Sequence, residues 1–137
     1  MDPLLILMNK AIKCINFKGL RLREKETLKL FHKDKILQVN DMFKLELAKF
    51  MYKYYNRLLP ANFNRYFTSV DSIHNYNTRA SGKNYFVPRK DKTKGLSCLS
   101  YRGAKLWSEV PVVIKDNLSL PSFTFNYKKE LLEKYIA

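Results

Sequence analysis

Apolar positions recur at helical spacing along most of this chain. Asp2-Pro3 is a helix start, because Asp can cap the first turn and Pro suits the first helical position. Leu4, Met8, Ala11 and Ile15 then fall on one stripe, with Lys10 and Lys13 off it. That pattern predicts a helix from Pro3 to Asn16, ended by Gly19. Glu24 to His32 is a second, shorter helical stretch with Leu28 and Phe31 inward. The strongest periodicity follows, through Val39, Phe43, Leu47, Phe50, Tyr54 and Leu58. Asn40 caps this third helix, which runs from Asp41 to Leu58, and Pro60 biases Leu59 out of helical geometry.

Beyond Pro60 the pattern changes. Residues 60–67 predict a short helical turn that buries Phe63 and Phe67. From Thr68 to Lys94 no helical period survives, and Asn, Ser, Gly and Thr dominate. Asn84–Pro88 and Leu96–Leu99 are the expected strands, paired as a hairpin across the basic Arg89–Lys94 loop, with Pro88 confining its strand to an edge. Ser100 caps a helix to Ser108 that turns Leu106 and Trp107 inward and Arg102 and Lys105 outward. Gly103 inside it costs about 1 kcal/mol relative to Ala, so its place there implies close approach of a backbone or a ligand. Val112 to Ile114 forms one apolar turn after Pro111. A final helix led by Pro121 carries Phe123, Tyr127, Leu131 and Tyr135 on one face. The expected fold is mainly α: a small helical domain of four to five helices with one short β-hairpin, spanning residues 1–137 as a single domain.

Charge adds a partner class. The 137 residues carry a net charge of +14. Residues 1–60 hold 13 Lys/Arg against 6 Asp/Glu, residues 61–108 hold 9 against 2, and residues 109–137 hold 4 against 4. The positive excess per residue is therefore highest in the middle, and nucleic acid or an anionic surface is the expected partner. Cys14 and Cys98 make no CxxC pair and, with His32 and His74 alone, no metal-ligand spacing. Two free thiols in a reducing, intracellular compartment, nuclear or cytoplasmic, are expected. Met1 to Met8 is apolar but lacks the basic leader and cleavage site of a secretory signal, and Asn9 and Lys10 stop it short of a membrane span. No cofactor is implied. The chain contains no GxSxG, no P-loop and no Gly-rich dinucleotide fingerprint. No pair of acids is set to hold two metal ions.

The site-like stretch runs from His74 to Trp107. Arg79, Arg89 and Arg102 can grip phosphates bidentately, and Lys83, Lys90, Lys92, Lys94 and Lys105 act as point charges. His74, Tyr76, Tyr85 and Phe86 offer stacking surfaces. The expectation is non-specific contact with RNA or DNA. The same residues also suit packing: Asn75, Asn77 and Thr78 can satisfy their own loop, and Tyr76, Phe86 and Trp107 can fill a small core. The Arg89–Lys94 loop has nothing to bury and is the better electrostatic candidate. A second basic face, Lys44, Lys49, Lys53 and Arg57, is either solvated or an extension of that surface.

The order of these motifs carries a resemblance. Phe43 to Lys53, Leu58-Leu59-Pro60, His74 to Arg79, Tyr101 to Trp107, Pro111, Ile114-Lys115, Phe123 and Tyr127-Lys128-Lys129 together resemble the extreme C-terminal region of reverse transcriptases encoded by Jockey-type non-LTR retrotransposons. The resemblance covers nearly the whole chain, with residues 17–34 least matched. It implies RNA and target DNA as partners and target-primed reverse transcription as the setting. The family's catalytic aspartates lie upstream, in a Tyr/Phe-x-Asp-Asp motif, and this chain has no Asp-Asp pair. The expectation is therefore a catalytically inactive fragment of the parent RNA-directed DNA polymerase, a basic accessory domain rather than an enzyme. Leu4 to Ile12 looks like the helix that follows the polymerase core, so Met1 reads as an internal methionine promoted to a start. The alternatives are a packing domain with no binding activity of its own and a host protein-interaction module.

Overall fold

The computed structural model describes residues 2–19, 21–73, 83–89 and 93–137, with residues 93 and 94 by their backbone alone. The described chain is mainly helical, in the order α1 (Pro3–Ile15), α2 (Glu24–Lys33), α3 (Val39–Tyr55), α4 (Thr93–Leu96), α5 (Leu99–Glu109), α6 (Val112–Lys115) and α7 (Leu120–Glu133). It divides into two compact units, Met1–Leu45 with Thr124–Ala137, and Glu46–Phe123. The divisions fall inside α3 and α7.

In the first unit α1 starts as its residues dictate. Asp2 Oδ1 accepts from the Leu4 N–H at 3.0 Å, and Pro3 opens the first turn. The end of α1 is tied to the end of α2 through Asn16: its amide donates to Asp34, and Lys33 Nζ donates to its Oδ1 at 3.1 Å. Phe31 is buried with its ring edge-on to Tyr135. The Tyr135 hydroxyl accepts from the Gln38 N–H at 3.0 Å and donates to Asp41 Oδ2 at 2.6 Å. Burial, with the Asp41 carboxylate beside it, pushes this phenol well above its ordinary range.

The second unit is built around Trp107, which is 0% exposed. Its ring packs at a tilt against Tyr55 and Phe123, with centroids at 5.6 and 6.1 Å. Met51, Tyr52, Ala104 and Phe123 are buried with it. The Tyr52 hydroxyl donates to the Asn117 carbonyl at 2.7 Å. Gly103 lets α5 lie close to Met51 and Phe67, so its close neighbours are side chains rather than a backbone or a ligand.

Three helices end alike. Phe17, Lys35 and Arg57 each adopt positive φ, at 52°, 55° and 56°. In each case the next residue's N–H reaches back five residues and the residue's own N–H reaches back three: Leu58 to Lys53 at 2.8 Å and Arg57 to Tyr54 at 3.1 Å, for example. This closure normally recruits glycine. Gly19, expected to end α1, has no positive φ; Phe17 takes that position instead.

The helical expectation holds and the hairpin does not. Leu96 closes α4 and Leu99 opens α5, so the second expected strand is helical at both ends. Tyr85 pairs instead with Ser69 in one isolated antiparallel bridge. The physical reason is local. Helical turns satisfy the backbone groups of 93–99 within that segment, as when Cys98 N–H donates to Gly95 O at 3.2 Å, leaving no ladder to extend. α3 also departs from its predicted stripe. Leu47, Ala48, Met51 and Tyr52 are buried, whereas Phe43 is 53% exposed. It starts at Val39, so Asn40 is not its cap, and α5 starts one residue before the predicted Ser100 cap. On α1, Ile12 is the buried residue, while Leu4 and Ile15 are exposed.

Candidate nucleic-acid interface

A cleft of about 490 Å³ opens in the second unit, between the end of α3, residues 64–69 and the strap of residues 83–89. Its exposed rim carries Arg57, Asn64 and Arg65, with Lys83 half-buried beside them. Its floor is aromatic: Tyr54, Tyr55 and Tyr85 are half-buried and Phe67 is buried. No carboxylate is among its described lining residues.

Sequence explains how each part is placed. The Schellman closure at the end of α3 swings the chain round at Arg57 and aims the following residues back over the helix. The Tyr54 hydroxyl then fixes that return, accepting from Phe67 N–H at 3.1 Å and lying within 3.2 Å of the Asn64 and Phe67 carbonyls. Tyr54 meets Phe67 and Tyr85 edge-on, with centroids at 4.8 and 5.3 Å.

The strap is clipped to the helices at several points. Trp107 Nε1 donates to the Lys83 carbonyl at 2.9 Å, and Phe86 N–H donates to Thr68 O at 2.8 Å. Lys83 Nζ donates to both oxygens of Asp116, at 2.6 and 2.7 Å, and that hydrogen bond raises the ammonium above the ordinary lysine range. Lys115 Nζ donates to Asn84 Oδ1 at 2.8 Å. An ammonium can only donate, so this bond fixes the Asn84 amide with its oxygen toward Lys115 and its NH₂ without an acceptor among the described residues.

The electrostatics follow. Among the described residues Arg57 and Arg65 have no acid within salt-bridge reach. Burial pushes the Tyr85 phenol well up, so its hydroxyl stays protonated at physiological pH. Guanidinium groups, phenol and amide together make a cleft whose unused groups are mainly hydrogen-bond donors. Such donors are chemically suited to hydrogen-bond an anion.

Lys115 has a different role. It is 3% exposed, and its Nζ lies 5.1 Å from the Trp107 ring centroid. Burial lowers its pKa, Lys83 adds to that, and Asp116 opposes it. The charged form is therefore disfavoured by folding, and the penalty is fully present below the folded pKa. Lys115→Met removes that penalty together with the bond to Asn84, so its stability relative to wild type should be pH-dependent and most favourable below the folded pKa. The difference should move in favour of wild type as pH rises toward 10.5, the ordinary lysine value. Thermal melts of both proteins across pH check this; a constant gap contradicts it.

The structure places few of the sequence candidates here. Lys83 lines the cleft; Arg89, Arg102 and Lys105 do not. Arg89 is exposed on the strap. Arg102 and Lys105 lie on the exposed side of α5, where Arg102 Nε donates to Leu96 O at 3.3 Å and Lys105 sits 5.9 Å over the Tyr101 ring. His74, Tyr76, Arg79, Lys90 and Lys92 lie outside the described residues, as does the side chain of Lys94. On the alternative basic face, Lys44 and Lys49 are paired with Asp41 and Glu46, and Arg57 alone reaches the cleft. Arg65 was not among the candidates. Its signal was the run Asn62 to Phe67, where a cation sits among aromatics directly after a helix stop.

Among the described residues no group of three His, Cys, Asp or Glu is placed to hold a metal ion, and no helix is long and apolar enough to cross a membrane. Neither Cys14 nor Cys98 is in a disulfide. No protein-family model matches this chain, and comparison with curated proteins and with solved structures yields no match.

Proposed function

We propose that this chain is a catalytically inactive accessory domain that contacts nucleic acid, of the kind found downstream of the polymerase core in Jockey-type retrotransposon reverse transcriptases. The observation that carries the binding part is the cleft: two guanidinium groups with no acid partner among the described residues, and a lysine held by Asp116, around an aromatic floor with no carboxylate among the described lining residues. The motif order carries the ancestry. RNA or DNA is the partner, held through its phosphates without sequence preference.

A second reading, a packing domain, draws on the Tyr101–Trp107 motif, because Gly103, Ala104, Leu106 and Trp107 are all buried. Salt decides between the two. Binding of single-stranded RNA should weaken linearly in log salt, with a slope of about −1.4 from Arg57 and Arg65 alone, since Lys83 is paired with Asp116. No measurable binding at about 50 mM salt leaves only the packing reading.

Arg57 separates binding from folding. Its backbone sits where glycine is preferred, so Arg57→Gly should stabilise the protein by about 0.5–1 kcal/mol. The same change should flatten the salt slope by about 0.7. A variant that loses stability, or keeps the full slope, contradicts the role given to this side chain.

A further inference from the structure

We propose that the cleft seats one unpaired base of a single-stranded nucleic acid, with the flanking phosphates on Arg57 and Arg65. This rests on the nucleic-acid reading above and adds to it the class of strand.

A site for phosphates alone needs cations on an open surface. This site has more. Its volume of about 490 Å³ lies within the range of pockets that enclose a small ligand. Its floor is built of aromatic rings, three of them phenols, and an aromatic face can stack on any base. Among the described residues no acceptor meets the Tyr85 hydroxyl or the Asn84 NH₂, and both residues line the cleft. Base edges offer carbonyl and ring-nitrogen acceptors to such donors. Lys115 and Trp107 hold the strap from behind, so the donors are set before a ligand arrives.

A duplex cannot use these features. Its bases are paired and stacked inside, so it would offer the rim only phosphates and leave the floor empty. A single strand can splay one base into the cleft while its neighbouring phosphates stay at the rim. The two guanidinium groups suit that arrangement, because each can take a phosphate bidentately.

The test uses the full chain and two probes of equal length: an oligouridine of about 12 nucleotides carrying one 2-aminopurine, and the same sequence annealed into a duplex. At equal salt the single strand should bind about tenfold tighter, the effect of one stacked base. The 2-aminopurine fluorescence should fall on binding. Tyr85→Phe, which keeps the ring and removes the hydroxyl, should cost about threefold on the single strand and nothing on the duplex. Equal affinity for both probes, unchanged 2-aminopurine emission, or a Tyr85→Phe protein with the full single-strand preference each overturns the inference and leaves phosphate binding intact. Binding of neither probe overturns both.

Discussion

Trp107→Ala should lose about 3–5 kcal/mol of stability, the range for truncating a large buried aromatic. Its ring is fully buried between Tyr55 and Phe123. The indole N–H also holds the Lys83 carbonyl, so the same change frees the strap that lines the cleft. Against a typical total of about 5–15 kcal/mol this is a large fraction, and the melting temperature should fall by roughly 10–20 °C. Trp107→Phe separates the two parts. It keeps most of the packing but leaves the Lys83 carbonyl without its donor, so about 1–2 kcal/mol should be lost. Trp107 is the only tryptophan, so far-UV circular dichroism is the readout for both variants. A Trp107→Ala protein within about 1 kcal/mol of wild type would contradict a core organised on this ring.

Gly103→Val should cost about 2–3 kcal/mol through overpacking. A Cβ at Gly103 would sit 2.8 Å from Met51 Sδ and 3.1 and 3.2 Å from the Phe67 ring. Met51 is fully buried and has little room to swing away. Gly103→Ala is the informative control. Alanine is worth about 1 kcal/mol more than glycine inside a helix, yet the added methyl meets these neighbours. Its net effect should be a loss of about 1 kcal/mol, with Val worse than Ala. Urea titrations of the three proteins check the order; an Ala variant more stable than wild type means that Met51 gives way. Phe67 is also part of the cleft floor, so Gly103→Val should weaken ligand binding as well as folding.

The helices were legible because their signals are local. Asp2-Pro3 caps α1 as the residues require, and Phe123, Tyr127 and Leu131 share the buried face of α7 as their spacing requires. Which face of α1 and α3 turns inward was not legible. Leu4 to Met8 is apolar all round, so periodicity leaves the choice open and packing makes it, at Ile12. On α3 the aromatic ring of Phe43 fits the period but faces solvent, while small Ala48 is buried.

The cleft joins pieces separated in sequence. The end of α3, residues 64–69 and the strap at 83–85 meet because Trp107, Lys115 and Asp116 hold the strap across the helices and Thr68 and Ser69 pair with it directly. Charge counting singled out Lys83, which lines the cleft but is paired with Asp116, and passed over Arg65, since a lone cation has no partner until the chain folds. Sequence by itself determined the helical class, the excess of positive charge and the absence of catalytic motifs, because these depend on composition and on neighbours within a few residues. Tertiary structure alone decided which cations converge, which are neutralised by Asp116, Asp41 or Glu46, and which aromatic rings line a cleft rather than fill a core. The physical reason is that electrostatic and stacking interactions act over a few ångströms of space, and the sequence carries no measure of that distance until the helices have packed.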